Sequence, residues 1–339
     1  MEIKIQLETD SYNITLERNS LDRAGTIFDL SRKVMIITDS GVPYEYAHRL
    51  ALQCLEPQIV QVPEGENTKS ISQYTYLSKM LLDYGFTRTD CIVALGGGVV
   101  GDLAGFTAST YMRGIDFYNI PTTLLSQIDS SIGGKVAIDF CGIKNIIGSF
   151  YQPKGVIIDP TLLETLPERQ LACGAAESIK MSLTSDPVLF DIFENDDYKS
   201  RIDEVIYRSI MIKKEVVEKD EKEQSLRRVL NFGHTVGHAI EVTGSGNLLH
   251  GECIAVGMLP MCSDGVRERL TAVLKKVGLP TDTDIPYKSI EAFISKDKKA
   301  DGKLINCISV NKIGEFVMER IPIKEFVEII EGKYPYKAK

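Results

Sequence analysis

Hydrophobic and polar positions alternate along the first half of the chain in blocks that predict strands and helices in turn. Short apolar runs end in polar or glycine-containing turns, as expected for strands buried within a sheet. Apolar residues at helical spacing in 71–84 predict a helix between two such runs. This order predicts a mostly parallel sheet covered by helices. The predicted strands are 34–38, 59–62, 91–95, 117–120 and 156–158.

The second half of the chain has a different pattern. Residues 187–222 and 251–276 show helical periodicity, and strand-like runs are scarce until 304–318. A turn at Tyr151-Gln152-Pro153 lies close to the change. We therefore predict two domains: an α/β domain at 1–155 and a mainly α-helical domain at 156–339.

Composition narrows the classes of function. The 339 residues suffice for two domains, and the formal net charge of −8 disfavours a general nucleic-acid surface, although a local basic pocket could still bind a small anion. The seven cysteines include no CxxC pair, which indicates reduced thiols in the cytoplasm. The first ten residues do not resemble a signal peptide, and no apolar run approaches the ~18 residues of a membrane helix. We expect a cytoplasmic protein with no membrane or nucleic-acid partner.

A glycine-rich turn follows the predicted strand at 91–95. Residues 96–102, GGGVVGD, contain a GxGxxG pattern whose backbone could approach a dinucleotide phosphate. The same pattern occurs in plain strand-to-helix turns, and it lies later than the first βα unit, where dinucleotide fingerprints usually fall. A second polar turn at 63–69, PEGENTK, is more typical of a surface loop. The sequence leaves both interpretations of the glycine turn open.

The segment 121–135 is unusually polar for an α/β core. It combines hydroxyl side chains, Asp129, paired glycines and Lys135, and Lys144 and Asn145 follow soon after. Close backbone approach with cations and hydroxyl groups suits a phosphorylated ligand. The alternative is a loop with a solvated lysine, but packing alone does not explain this density of polar residues.

Three of the four histidines fall between residues 234 and 250. Imidazole is a common metal ligand and titrates near neutral pH, so the group predicts a metal site or an acid/base centre. His234 and His238 share one face of a helix, but spacing does not decide which histidines bind. Glu177, one turn before Lys180, is a candidate third ligand, although such a pair is usually on the surface.

The motifs occur in the order GGGVVGD, PTTLLSQIDSSIGGK, KN, GAAESIK, LRRVLNFGHTVGHAIE and HGE. This order, from about residue 34 to residue 318, resembles the 3-dehydroquinate synthase family of sugar-phosphate cyclases. The resemblance implies a Rossmann-like NAD-binding domain, a mainly α-helical C-terminal domain, and an active site in the cleft between them. It also implies a homodimer in which Arg113 reaches the neighbouring subunit's pocket.

The resemblance assigns the metal, Zn²⁺ or Co²⁺, to Glu177, His234 and His250. His238 is then not a ligand, and it would either support the metal ligands from outside or handle a proton. The NAD-binding residues come from several turns of the first domain. They are Asp39, Glu66, Lys69, Gly97, Gly98, Val99, Asp102, Thr122, Thr123, Asp129 and Lys144.

The family reaction belongs to the shikimate pathway of aromatic amino-acid biosynthesis. NAD takes a hydride from C5 of 3-deoxy-D-arabino-heptulosonate 7-phosphate, phosphate leaves, the hydride returns, and the opened ring closes by an aldol reaction to 3-dehydroquinate. The net class is a phosphorus–oxygen lyase. The resemblance places Lys135, Lys180, Arg227, Asn231 and His238 in catalysis and Arg113, Asn145, Lys213 and Lys298, or Lys299, in substrate binding.

Two departures from the family pattern lie near the cofactor and phosphate region. Ile143 stands where glycine is common, and Ala137-Ile138-Asp139 replaces a common Gly-Val-Asn run. The nearest alternative is another cyclase such as 2-deoxy-scyllo-inosose synthase, whose substrate lacks the carboxylate that Arg227 and Lys213 would bind. More distant alternatives are a metal-dependent polyol dehydrogenase of the glycerol dehydrogenase type and a non-catalytic NAD-binding regulator.

Overall fold

The computed structural model describes residues 1–244, 247–296 and 304–337. The chain forms two compact units, Met1–Pro167 and Glu168–Lys339. The first unit extends beyond the boundary expected at residue 155, because the predicted strand at 156–158 pairs with two strands of the N-terminal sheet. The apolar side chains of that strand belong to the first core and not to the helical unit.

The strands of the first unit form one large sheet and one hairpin. They are β1 (Glu2–Ile5), β2 (Tyr12–Leu16), β3 (Lys33–Asp39), β4 (Glu56–Val62), β5 (Cys91–Gly96), β6 (Asp116–Pro121), β7 (Lys135–Phe140), β8 (Ile143–Phe150) and β9 (Gly155–Ile158). The seven-stranded sheet has the order β1-β2-β9-β6-β5-β3-β4. Only the β1–β2 pair is antiparallel within it, so the expected parallel sheet is present.

Helices cover both faces of this sheet. They are α1 (Ala24–Ile27), α2 (Tyr44–Ala51), α3 (Ile71–Asp83) and α4 (Gly98–Thr110). Ile37 of β3 belongs to the core under α3 and α4, together with Leu77 and Leu103, whereas its neighbour Ile36 belongs to the core under α2 with Leu50. Because successive side chains point to opposite faces, a continuous apolar run is what a strand covered on both sides requires.

The connections place the carboxyl ends of β3 and β5 at a topological switch. The chain leaves β3 through α2 and enters β4 on one side, whereas it leaves β5 through α4 and enters β6 on the other side. Ligands of open α/β sheets bind at such points, since the connecting helices diverge there. Asp39 and the turn at Gly97 therefore lie where a cofactor is expected.

The second unit is mainly helical. Residues 172–184 of α5 are all buried, so α5 forms the centre of this unit. The stretch 187–222, predicted as helical, is divided into α6 and α7, and a short turn at Leu259–Met261 separates α9 from α10. The elements are α5 (Glu168–Ser185), α6 (Pro187–Asn195), α7 (Ile202–Lys219), α8 (His234–Thr243), α9 (His250–Met258), α10 (Asp264–Val277), α11 (Tyr287–Lys296), α12 (Ile323–Glu331), β10 (Leu304–Lys312) and β11 (Glu315–Pro322).

Several parts of the first unit were not predicted, among them the β1–β2 pair. Residues 126–130 in the polar segment form a π-helical turn, and β7 and β8 form an antiparallel hairpin. The hairpin exposes apolar side chains such as Phe140 and Ile146, so its pattern does not resemble a half-buried strand pair.

All seven cysteines are free thiols. Burial raises the pKa of Cys54, Cys91 and Cys262 to about 12, so these thiols stay protonated at neutral pH. In the described ranges, no helix combines the length and the apolar character needed to cross a membrane.

Asp159 provides a test of the first unit. Its buried carboxylate accepts hydrogen bonds from the backbone N–H groups of Asn19 (2.9 Å), Leu21 (3.1 Å) and Thr161 (3.0 Å). Asp159→Ala should lower the free energy of unfolding by about 3 kcal/mol, because three backbone donors lose a charged acceptor. Urea unfolding followed by circular dichroism measures this loss. Asp10→Ala, at an exposed site, is the control, and equal stability of both variants would contradict the account.

Candidate active site

The histidine cluster lies at the start of two helices of the second unit. His234 is the first residue of α8, His250 is the first residue of α9, and His238 lies one turn along α8. Ring nitrogens of the three imidazoles all lie within 4.8 Å of one another. The structure therefore brings together all three histidines that the sequence singled out, and their mutual distances alone do not select two of them.

Glu177 meets two of these histidines from α5. Its Oε1 atom lies 3.6 Å from Nε2 of His234 and 3.6 Å from Nε2 of His250. Lys180 contacts Oε2 from the next turn of the helix. Both side chains are almost fully buried, so this Glu/Lys pair is not the surface pair that its spacing alone favours.

Close helix packing holds the three ligand-bearing helices together. A Cβ atom at Gly251 of α9 would overlap with the carbonyl oxygen of Cys173 in α5. A Cβ atom at Gly257 would overlap with the carbonyl oxygen of Gly233 and lie 2.6 Å from the backbone nitrogen of Gly237. Glycine at these positions lets α9 approach α5 and α8 closely enough for short side chains to meet.

The charges in the cluster are set by burial and by neighbouring groups. Burial lowers the pKa of His234 to about 3, and the cation of Lys180 acts in the same direction. Burial also lowers the pKa of His250, but Glu177 and Glu241 outweigh it and raise this pKa to about 9. Burial raises the pKa of Glu177, but Lys180 and His234 hold it well below its usual range. The cluster thus presents an anionic carboxylate with imidazoles around it.

These side chains fit a zinc or cobalt ion. Within the described residues, neither carboxylate oxygen of Glu177 accepts a hydrogen bond of ordinary geometry, although both are buried. Ligand atoms around a tetrahedral ion at about 2 Å are separated by about 3.3 Å. The separations of 3.6 Å between Glu177 and the two Nε2 atoms are close to that value. One carboxylate and two imidazoles also match the donors that catalytic zinc prefers.

Three basic side chains of the second unit lie away from solvent. Lys180, Lys213 and Arg227 are buried, and Nη1 of Arg227 donates to the carbonyl oxygen of Glu221 at 2.5 Å. Asn231 is exposed and donates from Nδ2 to Glu223 at 2.7 Å. A buried cation is costly unless a partner compensates for its charge, as Glu177 does for Lys180.

The proposed cofactor residues converge at the switch point of the first unit. Gly97 precedes α4, and a Cβ atom there would lie 3.1 Å from Cγ2 of Thr123. The backbone N–H of Thr122 donates to the carbonyl oxygen of Gly96 at 2.9 Å. Asp39 ends β3 and accepts from the N–H of Gly41 at 2.8 Å. The remaining residues of this group are Gly98 and Val99 in the first turn of α4 and Asp129 in the π-helical turn.

Lys69 is the centre of a second polar group in the first unit. Its Nζ atom lies 2.7 Å from Asp102 and 3.3 Å from Glu66, and it also contacts Oδ1 of Asn145. Burial raises the pKa of Asp102 to about 6, against the opposing effect of Lys69. The turn PEGENTK is therefore not a plain surface loop, because it supplies a buried lysine to this group. Asn145, which the resemblance assigns to the substrate, also contacts this group.

The other residues expected at the site lie on exposed parts of the first unit. Lys135 begins β7, Lys144 lies in β8, and Arg113 follows α4 with a left-handed backbone (φ 70°). Lys298 and Lys299 lie outside the described residues.

Glu241 and Asp139 contact the predicted site residues but were not predicted from the sequence. Oε2 of Glu241 lies 3.2 Å from Nδ1 of His250, and the Asp139 carboxylate accepts the N–H of Asn145 at 2.8 Å. No spacing within α8 marks Glu241, because it contacts a residue of the next helix. Asp139 was noticed only as a departure from the family pattern.

Both halves of the chain match one family. The sequence models described as 3-dehydroquinate synthase N-terminal and 3-dehydroquinate synthase C-terminal match residues 59–173 and 174–300. The chain belongs to the 3-dehydroquinate synthase family. A 3-dehydroquinate synthase of Streptococcus thermophilus is 39% identical over 98% of this chain and 100% of its own length. A 3-dehydroquinate synthase of Latilactobacillus sakei is 39% identical over 96% of this chain and 96% of its own length.

Solved structures of related cyclases share the fold. A 2-deoxy-scyllo-inosose synthase, complexed with carbaglucose-6-phosphate, NAD⁺ and Co²⁺, is 26% identical with a TM-score of 0.85 over 98% of this chain and 100% of its own. A 2-epi-5-epi-valiolone synthase of Streptomyces hygroscopicus, with NAD⁺ and Zn²⁺, is 25% identical. Its TM-score is 0.86 over 96% of this chain and 97% of its own. The family, fold class and function expected from the motifs are confirmed, and the relatives in this family are more similar in sequence than these other cyclases.

Gly257 tests whether close helix packing builds the cluster. In a free helix, replacing glycine by alanine stabilises by about 1 kcal/mol. Here the new Cβ atom overlaps with backbone of α8, so Gly257→Ala should destabilise by about 2 kcal/mol and weaken metal binding. Thermal unfolding and metal titration measure both effects. Gly265→Ala in α10 is the control, because no atom lies within 4 Å of the added carbon. Equal behaviour of the two variants would contradict the account.

Proposed function

We propose that the enzyme converts 3-deoxy-D-arabino-heptulosonate 7-phosphate to 3-dehydroquinate and inorganic phosphate with the residues described above. The main support is the buried Glu177, which meets His234 and His250 and contacts Lys180. A metal ion held in this arrangement would suit a substrate with a hydroxyl group that must lose its proton.

Glu177, His234 and His250 would hold Zn²⁺ or Co²⁺. When bound, the ion lowers the pKa of substrate hydroxyl groups and stabilises the negative charge that develops on their oxygen atoms. Lys180 offsets the charge of Glu177 and belongs to the catalytic group. His238 is exposed beside the two imidazoles, where its ring can orient the group that takes a substrate proton.

The switch point of the first unit would hold NAD, which accepts a hydride from the substrate and returns it later. The backbone of 97–99 and the N-terminus of α4 offer N–H groups to the pyrophosphate. Asp39 at the end of β3 is placed to bind a ribose hydroxyl group. Lys69, held by Asp102 and Glu66, shapes the other side of this site.

The two anionic groups of the substrate would bind different side chains. Arg227 grips the carboxylate with two parallel hydrogen bonds, assisted by Lys213. The family resemblance assigns the phosphate group to Lys135, Asn145, Asn231 and Lys298. Precise positioning of the leaving phosphate then supplies much of the rate acceleration.

The resemblance assigns the cations of Arg227 and Lys213 to a substrate carboxylate. This assignment favours the reaction over that of an inosose synthase, whose substrate has no carboxylate. A polyol dehydrogenase would accumulate NADH, whereas a cyclase returns the hydride. A probable glycerol dehydrogenase of Sinorhizobium meliloti is 15% identical with a TM-score of 0.62 over 94% and 95% of the two chains, which indicates a shared fold only.

Two further expectations remain predictions. A homodimer would let Arg113 enter the pocket of the neighbouring subunit, and the left-handed backbone at this residue projects it from an exposed turn. The second expectation is a cytoplasmic location, which agrees with the free thiols because the cytosol keeps cysteines reduced.

Histidine variants test the function and the ligand assignment together. With heptulosonate phosphate, zinc and catalytic NAD, the wild-type protein should release phosphate and form dehydroquinate without net NADH. His250→Ala should lose bound zinc. His238→Ala should keep its zinc and lose roughly 100-fold or more in turnover, as for loss of an acid/base group.

The matched control is His48→Ala, at an exposed position of α2, which should keep both zinc and turnover. Absence of phosphate release by folded, zinc-loaded wild-type protein would refute the function. Equal zinc loss in His238→Ala and His250→Ala would refute the ligand assignment.

A further inference from the structure

Glu241 lies on the far side of His250 from Glu177. It is the third residue from the end of α8, and its side chain is 18% exposed. Its Oε2 atom lies 3.2 Å from Nδ1 of His250, while Nε2 of the same ring lies 3.6 Å from Oε1 of Glu177. One imidazole is therefore held between two carboxylates, one at each nitrogen.

The contact with Glu241 selects one tautomer of His250. An ionised carboxylate only accepts hydrogen bonds, so Nδ1 must carry the hydrogen atom in this contact. Once a metal ion displaces the proton of Nε2, this atom can present its lone pair on the side of Glu177. His234 obeys the same rule, because its Nδ1 lies 3.2 Å from the carbonyl oxygen of Phe232 and its Nε2 faces Glu177. In both histidines, the acceptor bonded to Nδ1 thus leaves Nε2 as the nitrogen that can bind a metal ion.

We propose that Glu241 is a positioning residue that orients the His250 ring and strengthens its binding to the metal ion. This inference rests on the proposed function, since it requires the ion held by Glu177, His234 and His250. A carboxylate behind a histidine ligand fixes the ring and makes the ligating nitrogen a better electron donor. A carbonyl oxygen, as behind His234, fixes the ring without adding a full charge.

The backbone of His250 is held by a different set of contacts. Glu252 accepts the N–H of Leu249 at 2.7 Å and pairs with Arg169 through two hydrogen bonds of 2.7 Å. Nη2 of Arg169 also donates to the carbonyl oxygen of Asn247 at 2.6 Å. The start of α9 therefore stays fixed when Glu241 is changed, and the effect of Glu241 on the ring can be measured alone.

The test compares Glu241→Gln and Glu241→Ala with the wild-type protein by zinc titration against a chelator. Loss of a partner behind a metal ligand typically weakens metal binding by roughly 10–100-fold. We expect a roughly tenfold loss for Glu241→Gln, which keeps an acceptor oxygen but not the charge, and a larger loss for Glu241→Ala. The visible absorption bands of the Co²⁺-loaded protein should shift in both variants, because the geometry at His250 changes.

The matched control is Glu325→Gln, at an exposed position in the first turn of α12, which should leave zinc affinity and the Co²⁺ spectrum unchanged. Thermal unfolding of the metal-free proteins separates a folding defect from weaker ligation. If Glu241→Gln unfolds like the wild type and binds zinc more weakly, the proposal stands.

Unchanged zinc affinity and an unchanged Co²⁺ spectrum in Glu241→Gln and Glu241→Ala would overturn the positioning role while leaving the proposed function intact. If the wild-type protein itself binds no zinc, or if His250→Ala binds it equally well, the proposed metal site fails instead. The two failures are therefore distinguished by the wild-type and His250→Ala titrations.

Discussion

The burial of one negative charge, on Glu177, is the constraint around which the second unit is built. An ionised carboxylate removed from water costs several kcal/mol unless cations or hydrogen-bond donors compensate for it. Here Lys180 lies against one oxygen, and two imidazoles face the other at 3.6 Å. Such an arrangement adds little net stability, but it creates a place where a metal ion is strongly favoured.

This constraint explains the architecture of the helices. Glu177 has a short side chain, so α5, α8 and α9 must approach one another closely for the histidines to reach it. Gly251 and Gly257 permit this approach, because any side chain there would overlap with the backbone of the facing helix. The pair of Arg169 and Glu252 then ties the start of α9 to the start of α5. Packing and polar contacts thus serve the same purpose of holding the ligand atoms in place.

The sequence predicted the elements whose pattern has a simple physical origin. β3 and β5 are buried on both faces and appear as continuous apolar runs, and α3 has apolar residues at helical spacing. The β7–β8 hairpin was missed because it exposes apolar residues and does not alternate. The first unit also ends later than expected, since the pairing of β9 with β2 and β6 joins residues that are distant in the chain.

The candidate site was predictable to a similar extent. The histidines stood out because the chain has only four, and the order of motifs linked them with Glu177. The burial of Glu177 and Lys180 could not be predicted, since an i, i+3 pair has the same spacing on the surface and in a core. Glu241 was missed for a related reason: its role depends on a residue of the next helix, and spacing along one helix does not reveal it.

The central claim is that Glu177, His234 and His250 hold one metal ion around the buried carboxylate. Anomalous X-ray diffraction from crystals of the zinc-loaded protein, recorded on both sides of the zinc absorption edge, tests this most directly. The account predicts a single strong peak at about 2 Å from Oε1 of Glu177 and from Nε2 of each of the two histidines. A peak bound by His238 in place of either histidine, or a peak away from Glu177, would contradict it.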